Sequence, residues 1–385
     1  MNKNPSPFSI KTGMLPVIAI LLFILGYTTL MSNYHAPVFS KGDDWTRYRN
    51  NAVDILENGI WIPAVKGPYS APAGFLYNYF LAAVYGTTNY DDLVLVQIQY
   101  LLLYASVFLF YFAFRDKNSR WWNLFLFLGL SHFAYHDFFY YSTGMVLSEN
   151  LVIFFIGLFF LFFRIGYSEG RHLYRTLCFF TLALVYLTRP NYFPFIVVFS
   201  AWYLYQSIFR KTVSWKRAIP DLVILYATVN LMGLRNFIVC GQWEVLPAIP
   251  WSAAAAGHWP YFGYIFEEPI TLAKALLERT LLALGYTKLS VTWIGIRFHW
   301  ILMWFGVLAG VIYSIRKRIA LTGMEQMILI YLVTVIGPIV AIAHMTRYGI
   351  IFLAPGILPG FGLLFLLMRK IAEPHHPEVL RGHSG

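Results

Sequence analysis

Residues 40–59 read SKGDDWTRYRNNAVDILENG. Trp45, Tyr48, Ala52 and Ile55/Leu56 recur there at helical spacing, while Arg47, Asn50, Asn51, Asp54 and Glu57 take the other face. That pattern predicts an amphipathic helix over 45–59 lying on a membrane surface, with Gly59 as its stop. Asp43 and Asp44 stand at its start. One aspartate there can cap exposed backbone N–H groups, and both suit the positive end of a helix. The alternative is that one of them is a catalytic base. The chain carries its own control in NYDDLVLVQ at 89–97, where Asp91 and Asp92 precede another helix and read as plain helix-start acids. Periodicity alone treats the two pairs alike.

Outward from this stretch the chain is apolar in both directions. Runs able to span a bilayer lie near 14–32, 93–114, 122–138, 150–163, 177–208, 218–234, 299–315, 326–343 and 348–368. Only 12% of the 385 residues are charged, against about 25% in soluble proteins. The chain therefore reads as one polytopic integral-membrane domain, all-α, of about 9–11 transmembrane helices. The first run reads as an uncleaved helix rather than a signal peptide, since it is long and no A-x-A site follows. The 177–208 run is broken by TRPNYFP, which predicts two short helices meeting at Arg189-Pro190, with Pro190 in the first turn of the second.

The net charge of +11 does not point to nucleic acid, because the basic residues sit in short clusters between apolar runs: RDKNSR, RKTVSWKR, RKR. With the N-terminus inside, these clusters all fall on the cytoplasmic side. The loop 33–92 and the long loop 235–298 then lie outside, and 369–385 forms a short cytoplasmic tail. Asp43, Asp44, Asp54, Glu57, Asp91, Asp92, Asp137, Glu149, Glu244, Glu267, Glu268 and Glu278 all fall in the outer segments, a bias opposite to that of the bases. Two cysteines, Cys178 and Cys240, do not make a disulfide framework.

What separates the first acidic pair from the second is resemblance. GDDWTRYRNNAVDILENGIW followed by PYSAPAGFLYNYFLAAVYG resembles the first outer loop of GT-C fold glycosyltransferases. The branch it is most similar to is the protein O-mannosyltransferase and aminoarabinose-transferase group. Three later stretches fit the same family in the same order: GMVLSENLVIFFIGLFF, LVYLTRPNYFPF and TRYGIIFLAPGILPGF. The resemblance reaches about residue 368. Family members usually carry a further soluble domain after the last helix, whereas here only RKIAEPHHPEVLRGHSG follows.

The resemblance implies a GT-C-like bundle and transfer of a sugar from a polyprenyl-phosphate donor, on the outer face, to a hydroxyl of a glycan, lipid or protein. It makes Asp44 or Asp43 the general base, which agrees with the need of a hydroxyl for a positioned carboxylate. A lipid-phosphate leaving group needs a cation, and Arg347, with Tyr348 beside it, and Arg189 are the candidates. Asp137 and Glu149 are candidates for a second carboxylate. His132 and His136, four apart with Asp137 nearby, leave a divalent metal open, although a monophosphate donor needs less charge neutralisation than a diphosphate. The competing readings are a secondary transporter, for which the Arg189 break is the one usable feature, and a non-catalytic flippase or assembly protein of envelope polysaccharide.

Overall fold

The computed structural model describes residues 14–32, 44–59, 75–116, 119–135, 143–144, 147–241, 243, 245, 286–290, 293–296, 298–342 and 346–372. The chain opens with α1 (Met14–Ser32), α2 (Asp44–Asn58), α3 (Phe75–Thr88), α4 (Asp92–Phe114) and α5 (Arg120–Ala134). It continues through α6 (Glu149–Phe163), α7 (His172–Thr188), α8 (Phe193–Ile208), α9 (Trp215–Val229) and α10 (Leu231–Cys240). After the long loop come α11 (Phe298–Arg316), α12 (Gly323–Ile342) and α13 (Thr346–Ala372). Five segments among the described residues are long and apolar enough to cross a membrane: Leu15–Ser32, Asp92–Phe114, Glu149–Tyr167, Trp215–Ile238 and His299–Arg316. Two shorter apolar helices are His172–Thr188, between the third and fourth of these segments, and Gly323–Val335, after the fifth. One addition to an all-helical chain is a two-stranded antiparallel hairpin in the long loop, β1 (Tyr286–Ser290) and β2 (Trp293–Ile296), with Tyr286 opposite Ile296. Its aromatic and β-branched residues favour strand geometry.

The bundle has two chemically distinct ends. At one end, buried acids meet basic partners. Arg175 Nε lies 2.9 Å from Asp221, Arg369 Nε 3.2 Å from Asp116, and Lys370 Nζ 2.9 Å from Glu325. Arg164 donates to the carbonyls of Phe112, Ala113 and Arg115, closing the C-terminus of α4. These acids sit among the basic clusters rather than opposite them. A buried carboxylate is tolerated there because a cation neutralises it. The sequence pattern of acids at one end and bases at the other is therefore only partial.

At the other end lies α2. Its helix stops where expected: Gly59 adopts φ +98°, and its N–H bonds the Ile55 carbonyl at 3.1 Å. Its apolar face is covered by protein. Tyr48 and Ala52 are buried against Tyr77, Leu81 and Tyr85 of α3, with Trp45 and Ile55 packed alongside. The Tyr48 and Tyr77 rings meet edge to face at 5.0 Å, while a Cβ at Gly86 would stand 3.1 Å from the Leu56 side chain. Tyr48 pairs with Tyr77, and Leu56 with Gly86, so α2 and α3 run parallel and share an N-terminal end.

The break after α7 also forms as expected. Arg189 is extended (φ −144°, ψ 105°), Pro190–Tyr192 makes one 3-10 turn, and α8 follows.

Candidate functional site

Asp44 is the first residue of α2, and Arg347 and Tyr348 lie in the first turn of α13. Asp43, His136 and Asp137 fall outside the described residues. His132, on α5, meets His299 at the start of α11, ring centroids 5.2 Å apart. No group of three or more His, Cys, Asp or Glu side chains able to hold a metal occurs among the described residues.

Glu149 and Arg189, proposed from sequence for two separate tasks, are brought together. Glu149 opens α6 with 1% of its surface exposed and forms an ion pair with Arg189. Ser148 looks like a helix cap but makes no capping hydrogen bond. Its hydroxyl instead accepts from Arg189 Nε at 2.7 Å. A buried carboxylate so placed largely neutralises the arginine.

Beside this pair runs a buried polar chain. The Tyr77 hydroxyl donates to Gln99 Oε1 at 2.9 Å, and Gln99 Nε2 donates to the Thr143 carbonyl at 2.9 Å. Asn150 Nδ2 donates to Thr143 Oγ1 at 2.7 Å. Burial pushes the Tyr77 phenol well up, the charge of Glu149 adds to this, and Arg189 pulls the other way. Tyr77 therefore stays a neutral donor between α2 above it and the Glu149–Arg189 pair.

Arg235, on α10, was missed by sequence reasoning. It is 6% exposed. Its guanidinium lies 5.7 Å from the ring centre of Phe75, the first residue of α3. One amino group donates to Asn236 Oδ1 at 3.2 Å, while Nε has no hydrogen-bond partner among the described residues. No carboxylate among the described residues makes an ion pair with it. Because α2 and α3 are parallel, Phe75 and the first turn of α2 lie at the same end. Arg235 thus sits, buried and with no carboxylate partner among the described residues, at the end of the α2–α3 pair where Asp44 begins its helix. An isolated buried cation is costly, and an anionic ligand would relieve that cost. The sequence signal was available: Arg235 is the lone charge in the apolar stretch VNLMGLRNFIVC.

The acidic control pair also divides. Asp91 Oδ1 accepts from the N–H groups of Leu93 (2.8 Å) and Val94 (3.3 Å), capping α4. Asp92 instead accepts from the Tyr85 hydroxyl at 2.6 Å and faces Arg49 Nε at 3.6 Å.

These features define a polytopic helical membrane protein with a polar site at one end of its bundle. No protein-family model matches the chain, and no curated protein matches it. Solved structures do. The crystal structure of ArnT from Cupriavidus metallidurans bound to undecaprenyl phosphate superposes with a TM-score of 0.56 at 13% identity, covering 91% of this chain and 60% of that one. The apo-state ArnT structure gives 0.57 at 13% identity, covering 95% and 61%. The chain has the helical membrane GT-C fold of these structures and spans about three fifths of their length. At this identity the likeness is one of fold.

Proposed function

We propose that this protein is an integral-membrane glycosyltransferase. It moves a sugar from a polyprenyl-phosphate donor to a hydroxyl of an envelope glycan, lipid or protein, at the α2 end of the bundle. The observation that carries this reading is Arg235, a buried cation without a carboxylate partner among the described residues, at the end where Asp44 opens α2. The fold supports it, since ArnT shares that fold and has been crystallised with undecaprenyl phosphate.

In the reaction, Asp44 or Asp43 takes the proton from the acceptor hydroxyl as its oxygen bonds the anomeric carbon. The bond from that carbon to the phosphate oxygen breaks, and the lipid phosphate leaves with the electron pair. Attack from the face opposite the phosphate inverts the anomeric centre. Arg235 stabilises the charge that develops on the leaving phosphate, a task suited to a guanidinium fork. Arg347 and Tyr348 are a second donor-binding group at the head of α13. Arg189 is reassigned by its ion pair with Glu149: both shape the floor of the site and neither handles the donor. The same pairing removes the main feature a transporter would use, an unneutralised charge at a helix break.

The basic clusters gather at the other end of the bundle. By the positive-inside rule that end is cytoplasmic, and the site faces outward. This orientation and the apolar helices suit a protein of the bacterial inner membrane.

Undecaprenyl phosphate binding by the purified protein in detergent tests the reading. The protein binds the lipid, and Arg235→Met weakens binding by about tenfold or more, the scale of one charge-assisted hydrogen bond. Absence of binding by the unaltered protein would remove this donor class.

A further inference from the structure

Asp92 stands where a helix-start acid belongs, yet Asp91 already does the capping: its Oδ1 accepts from both Leu93 and Val94. Asp92 is left free for another role, and its Oδ1 binds outward, to Tyr85 of α3 at 2.6 Å and towards Arg49 of α2 at 3.6 Å. The Arg49 guanidinium also lies 5.9 Å from the Tyr85 ring centre. Three elements of the site end therefore meet at one carboxylate. Tyr85 is fully buried. Burial pushes its phenol up, the hydrogen bond to Asp92 pushes it further, and Arg49 pulls it back, so it remains a donor.

This junction differs in kind from the rest of the α2 contact. The stripe of Trp45, Tyr48, Ala52 and Ile55 chooses which face of α2 is buried, but apolar contact is non-directional. A helix held only by such a stripe can slide or roll by a fraction of a turn at small cost. The Tyr85–Asp92 hydrogen bond has a preferred distance and direction, and the Arg49 cation facing the same carboxylate is drawn to that one point. Arg49 is five residues from Asp44, about 7.5 Å along the helix at 1.5 Å per residue. Fixing Arg49 therefore fixes both the height and the rotation of the helix start.

We infer that Asp92 is a positioning residue for the reaction. Through Tyr85 and Arg49 it sets the register of α2, and so the place of the acid at the head of that helix. This rests on the glycosyltransferase reading above.

The test has two arms. The first compares Asp92→Asn, Asp92→Glu and the capping control Asp91→Ala for appearance of the modified envelope lipid or glycan in cells, and for undecaprenyl phosphate affinity of the purified proteins. Asp92→Asn slows product formation by about tenfold to hundredfold, the scale of a small misplacement of a reacting group. Its lipid affinity is unchanged. Asp92→Glu restores most of the rate, and Asp91→Ala lowers thermal stability while keeping the rate. The second arm reads the register directly, by cross-linking Leu56→Cys on α2 to Gly86→Cys on α3. The cross-link forms in the parent and is lost or weakened with Asp92→Asn.

A full rate in Asp92→Asn would overturn the inference, as would an undisturbed cross-link. So would equal loss of rate and lipid affinity, which marks general damage. If the unaltered protein modifies nothing, the glycosyltransferase reading fails. The cross-link then still decides whether Asp92 sets the register of α2.

Discussion

Arg189, where the chain breaks between α7 and α8, is ion-paired to Glu149, the first residue of α6. The two are 40 residues apart in sequence. Each looked like a separate functional candidate, and together they form a neutralised, buried unit beneath Tyr77.

Breaking that unit from one side leaves a buried charge. Arg189→Met alone should destabilise the protein by about 3–5 kcal/mol, and the double variant Arg189→Met/Glu149→Gln by less than the sum of its parts. Thermal unfolding in detergent measures this. Additive losses would mean that the two residues act independently.

Asp43→Asn and Asp44→Asn should behave differently. Losing a general base costs on the order of 10²–10⁴ in rate, so one variant loses nearly all transfer to envelope lipid or glycan while the other retains it. The retained one is the residue whose work is confined to the helix start. Full transfer by both variants would end the general-base assignment.

Single cysteines placed in 33–92 and 235–298 should react with a membrane-impermeant maleimide from the same, outer side of intact cells. Cysteines near Arg164, Arg217 or Arg318 should react only after permeabilisation. Labelling of the two loops from opposite sides would break the two-ended topology.

Gly166 lies where α6 turns towards α7, and a Cβ there would stand 2.7 Å from the backbone of Arg175. Backbone cannot swing aside as a side chain can. Gly166→Ala should therefore cost about 1–3 kcal/mol, the usual range for overpacking, read as a lowered melting temperature. An unchanged melting temperature would show that this turn can open.

A chelator should leave transfer intact. A polyprenyl monophosphate presents little charge, and Arg235 supplies a cation at the site end. Loss of transfer with EDTA, restored by a divalent ion, would move the charge-neutralising role from arginine to a metal.

Much of the fold was legible along the chain. The helical period of Tyr48, Ala52 and Ile55 and the stop at Gly59 define α2. The proline after Arg189 defines the broken pair, and the hydropathy of 93–114 and 150–163 defines two spans. These signals are local: a backbone with no water to bond must form a helix, and a proline or a glycine ends one. The hairpin at 286–296 was not read, because nine residues of mixed polarity in a long loop carry too short a pattern.

The amino-acid sequence by itself determined that this is a helical membrane protein, where several of its helices start and stop, and many of the residues chemically able to act. Only the tertiary structure decided which of those charges are already answered. Arg189 and Arg235 look alike in sequence, each a lone arginine at the edge of an apolar run. One is cancelled by Glu149 and the other meets no carboxylate among the described residues. Asp91 and Asp92 are neighbours, yet one caps its own helix and the other holds two different helices. The reason is physical. Helix formation depends on residues a few positions apart, but the fate of a buried charge depends on what lies within about 4 Å, and folding brings that partner from elsewhere in the chain.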